Sequence, residues 1–401
     1  MTSPTRPLPL DGLLVADFSR VLAGPLCTQM LADFGARVIK VEEPRRGDET
    51  RRWGPPFIGD VSAYFLSVNR GKESLALDLR DAADAAVARE LIARADVVID
   101  NFLPAQREAL LGDVAAVNPA AVHCSISGFD PDTPDAATSG YDLLAQAGAG
   151  LMSITGEREG APMKIGVALS DVLTAHHAFG AVCAALRARE RDGRGVRVEI
   201  SLFSATLASL VNVAQNVLIT GEEAARFGNA HPSIVPYEVF HGRDRAFAIG
   251  AGTDQHFRKL CEQVIEQPEL ANDARFASNA GRVANRATLV PLLDAIFRSA
   301  DAAHWVARCR DAAVPASLVQ GVREALHSEA GRPLVATIEH PEIGSYETVR
   351  NPVRIDGQRL PINGAPPSLG QQSEAIVREL TETTSRTTAH RTPPETATEH
   401  P

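Results

Sequence analysis

The feature that most constrains the fold is an alternation of short apolar runs with helical patterns along the first half of the chain. Leu13–Phe18 is an apolar run of strand length, Pro25–Phe34 has helical periodicity, and Val38–Glu42 is a second strand-like run. Further strand-like runs occupy Ser74–Asp78, Val97–Asp100, Val122–Ile126 and Val196–Leu202, and further helical patterns occupy Ala82–Arg94 and the chain from Val172 to about Arg191. Repeated strand–helix–strand units predict an α/β fold whose mostly parallel sheet is covered by helices.

Ligands of such sheets bind beyond the carboxyl ends of the strands. We therefore expect functional residues in the loops after Phe18, Glu42, Asp100 and Ile126. The first of these loops lacks the G-x-G-x-x-G pattern of dinucleotide-binding proteins, which disfavours a dehydrogenase. A phosphate-binding G-x-x-x-x-G-K-[ST] loop and a G-x-S-x-G nucleophile motif are also missing, and no His or Cys spacing predicts a metal site.

The character of the sequence changes after residue 220. Val235–Phe240 and Ala246–Ile249 resemble antiparallel strands, and helical patterns follow them. We expect a large Rossmann-like domain that begins with residues 8–220, a smaller α+β domain over 221–330, and a return to the large domain over 331–380. The stretch Thr381–Pro401 has almost no large apolar side chain, so it is predicted to be a disordered tail.

Composition excludes some classes of function. The formal net charge of −10 argues against nucleic-acid binding, which requires a basic face. The five cysteines are scattered singly, which is typical of a protein without disulfides in a reducing compartment. The N-terminal residues lack the pattern of a secretory signal, and we find no apolar run of the ~20 residues that a membrane span requires. The expected location is the cytoplasm.

Three segments concentrate polar residues that are suited to chemistry. They are Arg20–Pro25 with its continuation through Gly35–Pro44 and Gly47–Arg51, then Gly140–Gln146 followed by Gly150–Gly156, and finally Lys164–Asp171. Asp171 stands immediately before a long helical pattern, where an aspartate is also an ordinary helix N-cap. The residues alone allow a nucleophile, a cap, or both, because a helix N-terminus stabilises a carboxylate.

On these segments the chain resembles the class III CoA-transferases, a superfamily that includes formyl-CoA transferase, carnitine CoA-transferase and α-methylacyl-CoA racemase. The resemblance covers roughly Leu10 to Leu380 and also includes Val68–Leu79 and Gly193–Leu202. Within the superfamily, the chain is most similar to the succinate–hydroxymethylglutarate (glutarate) CoA-transferases. The segments that carry this similarity are Arg51–Phe57, Gly228–Tyr237 and Gly250–Gly252. The resemblance implies an interlocked homodimer.

The resemblance implies an acyl-CoA:carboxylate CoA-transferase that uses dicarboxylic acids and has Asp171 as its nucleophile. A free aspartate has a pKa of ~3.9, so we expect Asp171 to be ionised at neutral pH without a general base. Its carboxylate would form an aspartyl anhydride and then an aspartyl-CoA thioester. One thioester replaces another, so neither ATP nor a tightly bound cofactor is implied. Gly250 and Gly252 resemble the glycine loop of the family and are expected to supply backbone N–H donors for the oxyanion.

Two residues near the start of one predicted helix bear on the type of reaction. Asp142 occupies the position of a second active-site carboxylate in formyl-CoA transferase, where it would orient the acceptor or handle a proton; it is equally suited to cap a helix. Tyr141 stands where racemases of the superfamily have a His. Two-base chemistry needs the near-neutral pKa of an imidazole, so Tyr141 favours transfer over racemisation, although it is also suited to packing as an ordinary aromatic residue.

The resemblance also implies substrate contacts. The residues at CoA-binding positions are Leu22, Ala23, Lys72, Asn101, Phe102 and Arg107. Leu22 replaces a glutamine of formyl-CoA transferase, Glu43 replaces an arginine, and the arginine expected after Phe102 is shifted to Arg107. The candidates for holding the second carboxylate of a dicarboxylic acid are Arg20, Arg51, Arg52, Tyr141 and His231. Each of the arginines is alternatively part of a surface ion pair.

Two other functions remain open from the sequence. An α-methylacyl-CoA racemase-type isomerase would exchange an α-proton with solvent and need no acceptor acid. A non-catalytic acyl-CoA-binding protein on the same scaffold would bind CoA without turnover, and the change Asp171→Ala would then have no effect.

Overall fold

A computed structural model describes residues 7–389, with side chains up to Glu382. The chain divides into two compact units. The first contains the residues up to Leu151, Lys164–Ile219 and the residues from Pro333 onward, and the second contains Met152–Met163 and Thr220–Arg332. We expected the change of domain after residue 220 and again after residue 330. The segment Met152–Met163, which we placed in the large domain, belongs instead to the second unit.

In chain order, the strands of the described residues are β1 (Leu14–Asp17), β2 (Arg37–Glu42), β3 (Phe57–Ile58), β4 (Val61–Ser62), β5 (Lys72–Ala76), β6 (Val97–Asp100), β7 (Val122–Ser127), β8 (Arg197–Ser201), β9 (Tyr237–His241), β10 (Ala246–Gly250), β11 (Ala316–Leu318), β12 (Val335–His340), β13 (Gly344–Val349), β14 (Arg354–Ile355) and β15 (Gln358–Arg359).

The α-helices, in the same order, are α1 (Ala23–Asp33), α2 (Ala63–Val68), α3 (Ala82–Arg94), α4 (Pro104–Leu111), α5 (Val114–Val117), α6 (Asp142–Gly148), α7 (Leu169–Asp192), α8 (Leu202–Ala208), α9 (Val211–Thr220), α10 (Asp254–Lys259), α11 (Pro268–Asn272), α12 (Asn279–Ala284), α13 (Arg286–Phe297), α14 (Ala302–Asp311), α15 (Val322–His327) and α16 (Ser373–Ala389). Short 3₁₀ turns occupy Glu49–Arg52, Met152–Ile154 and Arg332–Leu334, and Leu260–Val264 is a π-helical turn.

The first unit is built on a parallel sheet with the strand order β5-β2-β1-β6-β7-β8. This confirms the predicted α/β fold. The order reverses between β1 and β6, and an open parallel sheet binds its ligands at the carboxyl ends of the two strands that flank such a reversal. Successive side chains of β1 point to opposite faces of the sheet and are buried in two separate cores. Val15 lies in the core that contains residues of α1 and α7, and Ala16 lies in the core that contains residues of α3 and α16.

Helix α7 carries the candidate nucleophile and lies along the sheet. Ala175, Ala178 and Val182 are buried in the core that α7 shares with α1. By length and composition alone, α7 is apolar enough to cross a membrane, and the bent pair α8 and α9 meets the same test together, so the absence of any such segment is not confirmed. A core helix of a soluble protein also meets this test.

The second unit contains an antiparallel sheet with the order β11-β10-β9. Its core is dominated by aromatic side chains. The rings of Phe240, Phe247 and Trp305 approach Phe297 edge-on, with centroids 5.0, 5.2 and 5.4 Å away. Edge-to-face contacts of this kind add to the free energy gained by burial.

Two local predictions differ from the structure. The apolar helix predicted to run to Thr220 is broken into α8 and α9, and Val211 at the break has φ 39°. The tail predicted to be disordered from Thr381 begins as part of α16, which continues to Ala389. The remainder of that tail, residues 390–401, lies outside the described residues.

Candidate functional site

Asp171 lies at the reversal point of the parallel sheet. It is the third residue of α7 and lines a cavity of about 240 Å³. The same cavity is lined by residues that follow β1, β6 and β7, including Val21, Asn101 and Gly128. Glu49, in the loop after β2, lines it as well, so all four loops singled out from the sequence meet here. The side chain of Asp171 is partly exposed rather than sealed in the core.

The ionisation of Asp171 differs from expectation. Burial raises the pKa of its carboxyl group, the charge of Asp142 raises it further, and a hydrogen bond from the backbone of Ala23 lowers it, with a net value of about 7. We expected an ordinary aspartate, wholly ionised at neutral pH, and that expectation was wrong. Both the protonated and the ionised form of the nucleophile are therefore present near neutral pH.

Asp142 holds the start of α7 rather than facing the cavity. It is the first residue of α6, and its Oδ1 accepts a hydrogen bond from the backbone N–H of Ser170 at 2.8 Å. Its Oδ2 accepts a second bond, also at 2.8 Å, from Nε2 of the buried Gln146. Both oxygens are thus used within the chain. This arrangement supports the role of a helix cap, exerted on α7, and not that of a contact to the acceptor acid.

Two tyrosines lie near Asp171. Tyr141 lines the cavity and is 59% exposed, so it is not a packed core aromatic. Tyr64, on α2, was not singled out from the sequence. Burial raises the pKa of Tyr64 to about 12, with further contributions from Asp171, Asp142 and Asp48, so its phenol stays protonated at neutral pH. No spacing signal points to Tyr64, because the fold alone brings it close to these carboxylates.

The loop between β1 and α1 is held by side-chain contacts. Asn101 Oδ1 accepts a hydrogen bond from the N–H of Arg20 at 3.0 Å, and its Nδ2 donates to the carbonyl of Arg20 at 2.8 Å. Asn101 therefore fixes the backbone of this loop. The guanidinium of Arg20 lies 5.7 Å from the centroid of the Phe102 ring and pairs with Glu49 at 3.0 Å.

Leu22 and Ala23, at the start of α1, are both buried. Leu22 is the N-cap residue and makes no side-chain cap hydrogen bond. Ala23 lines the cavity and reaches Asp171 through its backbone. The contribution of Ala23 to the site is therefore an N–H group at a helix N-terminus, where negative charge is favoured.

Lys72 lines neither of the two cavities at this edge of the sheet and is fully buried, so its predicted contact with CoA is wrong. Its side chain is 0% exposed, and its ammonium group lies 3.1 Å from Asp17 Oδ2, 2.9 Å from the carbonyl of Pro25 and 2.9 Å from Asn69 Oδ1. These contacts use all three donors of the lysine. Burial lowers the pKa of Lys72 to about 8, although Asp17 acts in the opposite direction.

Arg51 is also committed within the fold, which makes it unsuitable as a clamp for a substrate carboxylate. Its Nε and Nη2 donate to the two oxygens of Glu42 at 2.8 and 2.7 Å, and Nη2 also donates to the carbonyl of Pro367. Its guanidinium lies 3.8 Å from the ring centroid of Phe65. Arg52 is exposed on the adjacent 3₁₀ turn, and its role stays a prediction.

A second cavity of about 180 Å³ lies at the carboxyl ends of β1, β2 and β5. It shares Arg20 and Phe102 with the first cavity and has apolar walls that include Leu77 and Leu110. The exposed Arg80 lines it, whereas Arg107, on α4, lines neither of these two cavities. Arg80 was missed, although a cation directly after a predicted strand at this edge of the sheet was a usable signal.

The glycine loop lies in the second unit. Gly250 ends β10 and its N–H donates to the carbonyl of Pro315 at 2.9 Å. The N–H groups of Ala251 and Gly252 donate to the carbonyls of Pro236 and Gly250 at 3.0 and 2.9 Å. All three groups are therefore occupied within this unit, and the prediction that Gly250 and Gly252 offer free oxyanion donors is wrong for this conformation.

His231 belongs to the second unit as well. Its ring packs edge-on against Tyr237 with centroids 5.4 Å apart, and its Nδ1 accepts a hydrogen bond from the N–H of Ser233 at 3.1 Å. Its proposed contact with a substrate carboxylate stays a prediction. Across the described part of the chain, no group of three or more His, Cys, Asp or Glu side chains is placed to hold a metal ion.

Comparison with known proteins agrees with the sequence resemblance. The model of the family described as CoA-transferase family III matches residues 10–373. The succinyl-CoA:glutarate CoA-transferase of Mus musculus is 39% identical over 93% of this chain and 86% of its own length. The acetyl-CoA:oxalate CoA-transferase of Acetobacter aceti is 40% identical over 94% of this chain and 98% of its own length.

A solved structure gives the same result for the fold. A CAIB/BAIF family protein from Brucella suis has a TM-score of 0.83 and 38% sequence identity, and the match covers 94% of this chain and 100% of that chain. The predicted superfamily is thereby confirmed. The two curated relatives are almost equally identical to this chain although their names give different acids, so overall identity does not decide which acid this chain uses.

Proposed function

Because the chain belongs to family III of the CoA-transferases, we propose that it exchanges CoA between carboxylic acids, of which at least one is a dicarboxylic acid, with Asp171 as the nucleophile. The observation that carries this proposal is the position of Asp171, partly exposed in a cavity at the reversal point of the sheet, with a pKa of about 7. Such a group is available as a carboxylate at neutral pH without a separate general base.

The proposed reaction has four steps, each of which forms one bond and breaks another. An oxygen of Asp171 attacks the thioester carbonyl and the C–S bond breaks. CoA departs as its thiolate, and an aspartyl–acyl anhydride remains on the protein. The thiolate then attacks the aspartyl carbonyl of this anhydride and releases the first acid as its carboxylate. The acceptor carboxylate attacks the aspartyl-CoA thioester and again expels the thiolate. Finally, the thiolate attacks the acceptor's acyl carbonyl, which gives the new acyl-CoA and regenerates Asp171.

Residues of the cavity support transfer over isomerisation. The N–H of Ala23 at the start of α1 favours the ionised form of Asp171 before attack. Tyr141 stands in the cavity at the position where a racemase would need an imidazole, so the cavity lacks the second base of an isomerase at that position.

Arg20 is the best-placed candidate for the second carboxylate of the substrate. It lines the cavity of Asp171, and its ion pair with Glu49 is exposed on both sides, with side-chain exposures of 44% and 39%. An exposed pair contributes little free energy, so a substrate carboxylate can replace Glu49 at low cost. The proposed alternatives Arg52 and His231 have no comparable support.

The second cavity is suited to the nucleotide end of CoA. It continues from Arg20 and Phe102, combines apolar walls with a polar edge, and carries the exposed guanidinium of Arg80. We therefore propose Arg80 as a contact for a CoA phosphate, in the role that the sequence assigned to Lys72 and Arg107.

The homodimer implied by the family is also part of the proposal. Helix α9 exposes Val211, Leu218 and Ile219 at 69%, 79% and 73%, which is an apolar surface that a second subunit would cover. All five cysteines are free, which suits the proposed cytoplasmic location, and the net charge of −10 gives no reason to expect a nucleic-acid partner.

The test is to incubate the purified protein with succinyl-CoA and a panel containing glutarate, oxalate, 3-hydroxy-3-methylglutarate, acetate and benzoate, and to identify new acyl-CoA species by mass spectrometry. We expect transfer to dicarboxylic acids and a covalent adduct on the peptide that contains Asp171. The matched variant Asp171→Asn should form neither.

Two outcomes would contradict the proposal. Exchange of the α-proton of a 2-methylacyl-CoA in D₂O without any acceptor acid would establish an isomerase. CoA binding without turnover in both the native protein and Asp171→Ala would establish a binding protein.

A further inference from the structure

The Gly47–Arg51 segment contains a buried carboxylate that the proposed reaction does not use. The side chain of Asp48 is 0% exposed, and its Oδ2 lies 2.9 Å from the ammonium group of Lys40, which is also 0% exposed. Its Oδ1 accepts hydrogen bonds from the N–H and Oγ1 of Thr50 at 2.9 and 2.7 Å. Burial acts to raise the pKa of Asp48, but Lys40 and Thr50 outweigh it and lower the pKa to about 2. Asp48 is therefore a fixed, ionised group.

Asp48 also holds the backbone of Val21. The N–H of Val21 donates to both carboxylate oxygens, at 3.3 and 3.2 Å. Val21 has φ 71°, in the left-handed region, where a β-branched residue is a genuine outlier. Lys40 fixes the same loop a second time, because its ammonium group donates to the carbonyl of Ser19 at 2.8 Å. The buried pair of Lys40 and Asp48 therefore maintains a backbone conformation that valine does not favour.

This conformation determines where α1 begins. Two residues beyond Val21, Ala23 lines the same cavity as Asp171, and its backbone favours the ionised form of the Asp171 carboxylate. The intervening N-cap residue, Leu22, makes no side-chain hydrogen bond that would orient the start of the helix. The direction of the Ala23 N–H is thus set by the turn at Val21, and relaxation of Val21 to negative φ would redirect it.

We propose that Asp48, held by Lys40, is a positioning residue for the nucleophile: it keeps Val21 in the left-handed conformation and so aims the N–H of Ala23 at Asp171. This inference rests on the proposed function only in taking Asp171 as the reacting group. Because Asp48 and Lys40 also line the second cavity, the decisive measurement is the titration of Asp171 in the absence of substrate.

The test compares two double variants in which the buried pair is replaced by neutral side chains. Lys40→Met with Asp48→Asn keeps an oxygen that accepts from Val21, whereas Lys40→Met with Asp48→Leu removes it. Both variants lose the same charges and the same bond to Ser19, so their difference reports the loss of the oxygen that accepts from Val21 and from Thr50. Val21→Pro removes the Val21 contact and leaves the Thr50 contact in place. The other charged and titratable groups around Asp171 are unchanged in both, namely Asp142, Tyr64, Tyr141, Arg20 and Glu49.

Two measurements are made on each folded variant. The pKa of Asp171 is read from ¹³C NMR of the aspartate carboxyl carbons, assigned by comparison with Asp171→Asn, and the acid limb of kcat/KM is measured with succinyl-CoA and glutarate. In the Asp48→Leu variant, we expect the pKa of Asp171 to be about one unit higher than in its Asn partner. Its kcat/KM at pH 6 should be about tenfold lower.

Identical titration of Asp171 in the two folded variants would overturn the proposal. If the Asp48→Leu variant does not fold, Val21→Pro replaces it, because proline lacks the N–H and excludes φ 71° without changing any charge. A folded Val21→Pro variant with native titration, or failure of both to fold, would show that the contact supports only the fold. The NMR titration does not depend on turnover, so a native protein that fails to transfer CoA would count against the proposed function and not against this inference.

Discussion

Asp142 binds the first turn of the helix that carries Asp171, and its charge also raises the pKa of that residue. Oδ1 of Asp142 accepts the N–H of Ser170 at 2.8 Å, one residue before Asp171. Two carboxylates are thereby held near each other, and like charges disfavour joint ionisation. One contact therefore connects the stability of the helix terminus with the protonation state of the proposed nucleophile.

The first prediction concerns the pH profile. Since Asp171 attacks as a carboxylate with a pKa of about 7, kcat/KM of the native protein should fall as the pH decreases below about 7. Asp142→Asn removes the charge that raises this pKa but keeps an oxygen for Ser170. The acid limb should therefore move to lower pH by about one unit. The measurement is kcat/KM with succinyl-CoA and glutarate between pH 5 and 9.

The variant Asp142→Ala provides the comparison for the helix cap. It removes the same charge together with the oxygen that accepts from Ser170, and loss of a cap costs ~1 kcal/mol. The free energy of unfolding in urea should therefore be lower for Asp142→Ala than for Asp142→Asn. The acid limb of kcat/KM should be shifted in both variants. An acid limb in Asp142→Asn that stays at its native position would refute the electrostatic link between the two carboxylates.

Most of the fold was accessible from sequence because it depends on local patterns. The predicted bounds of Val97–Asp100 and Ala82–Arg94 are those of β6 and α3, since apolar runs and helical periodicity are properties of neighbouring residues. The break between α8 and α9 carries no glycine or proline signal, and sequence reasoning therefore missed it.

The site was only partly accessible for the opposite reason. Asp171 was identified by its motif, but its pKa depends on Asp142, which the fold brings from another helix. The sequence could not reveal that Lys72 is neutralised by Asp17, because that pairing joins two separate strands. A cationic residue identified from a linear motif can therefore pair with a buried carboxylate instead of binding a ligand.

The second prediction concerns stability. The pKa of Asp171 is raised from 3.8 to about 7, so the folded state binds a proton more tightly than the unfolded state. Between these two values the free energy of unfolding falls as the pH rises, and the full penalty is present above pH 7. Asp171→Asn removes that penalty. We expect the variant to be more stable than the native protein at pH 8, by up to about 4 kcal/mol, and equally stable at pH 3.5.

Urea unfolding at these two pH values measures this difference. Asp48→Asn is a matched variant with the opposite sign, because the pKa of Asp48 is lowered to about 2. Its native carboxylate contributes stability above pH 4 that is lost as the pH falls towards 2, so the substitution should destabilise the protein at pH 8. Equal stability of Asp171→Asn and the native protein at pH 8 would show that burial does not penalise the nucleophile.

The third prediction distinguishes a structural lysine from a ligand-binding one. Lys72→Met leaves Asp17 buried without its cation, which costs ~3–5 kcal/mol. Adding Asp17→Asn removes that uncompensated charge and should restore much of the lost stability. For both variants, the KM for succinyl-CoA in the folded protein should stay within about twofold of the native value. An unchanged unfolding midpoint with a large increase in KM would instead restore Lys72 to the CoA site.

The last prediction tests whether the second cavity holds the phosphates of CoA. Arg80 lines this cavity and is exposed, so its removal leaves no buried group unpaired, and the unfolding midpoint of Arg80→Ala should be native. Loss of one charge-assisted contact should raise the KM for succinyl-CoA about tenfold while kcat changes little, since the contact lies away from the reacting carbonyl. Arg187→Ala, at an exposed position on α7, is the control for general charge effects and should leave KM unchanged.

Increasing ionic strength should weaken CoA binding by the native protein more than by Arg80→Ala, because salt screens the contact that the variant lacks. Equal KM values for Arg80→Ala and Arg187→Ala would place the phosphates elsewhere, and the second cavity would then need another explanation.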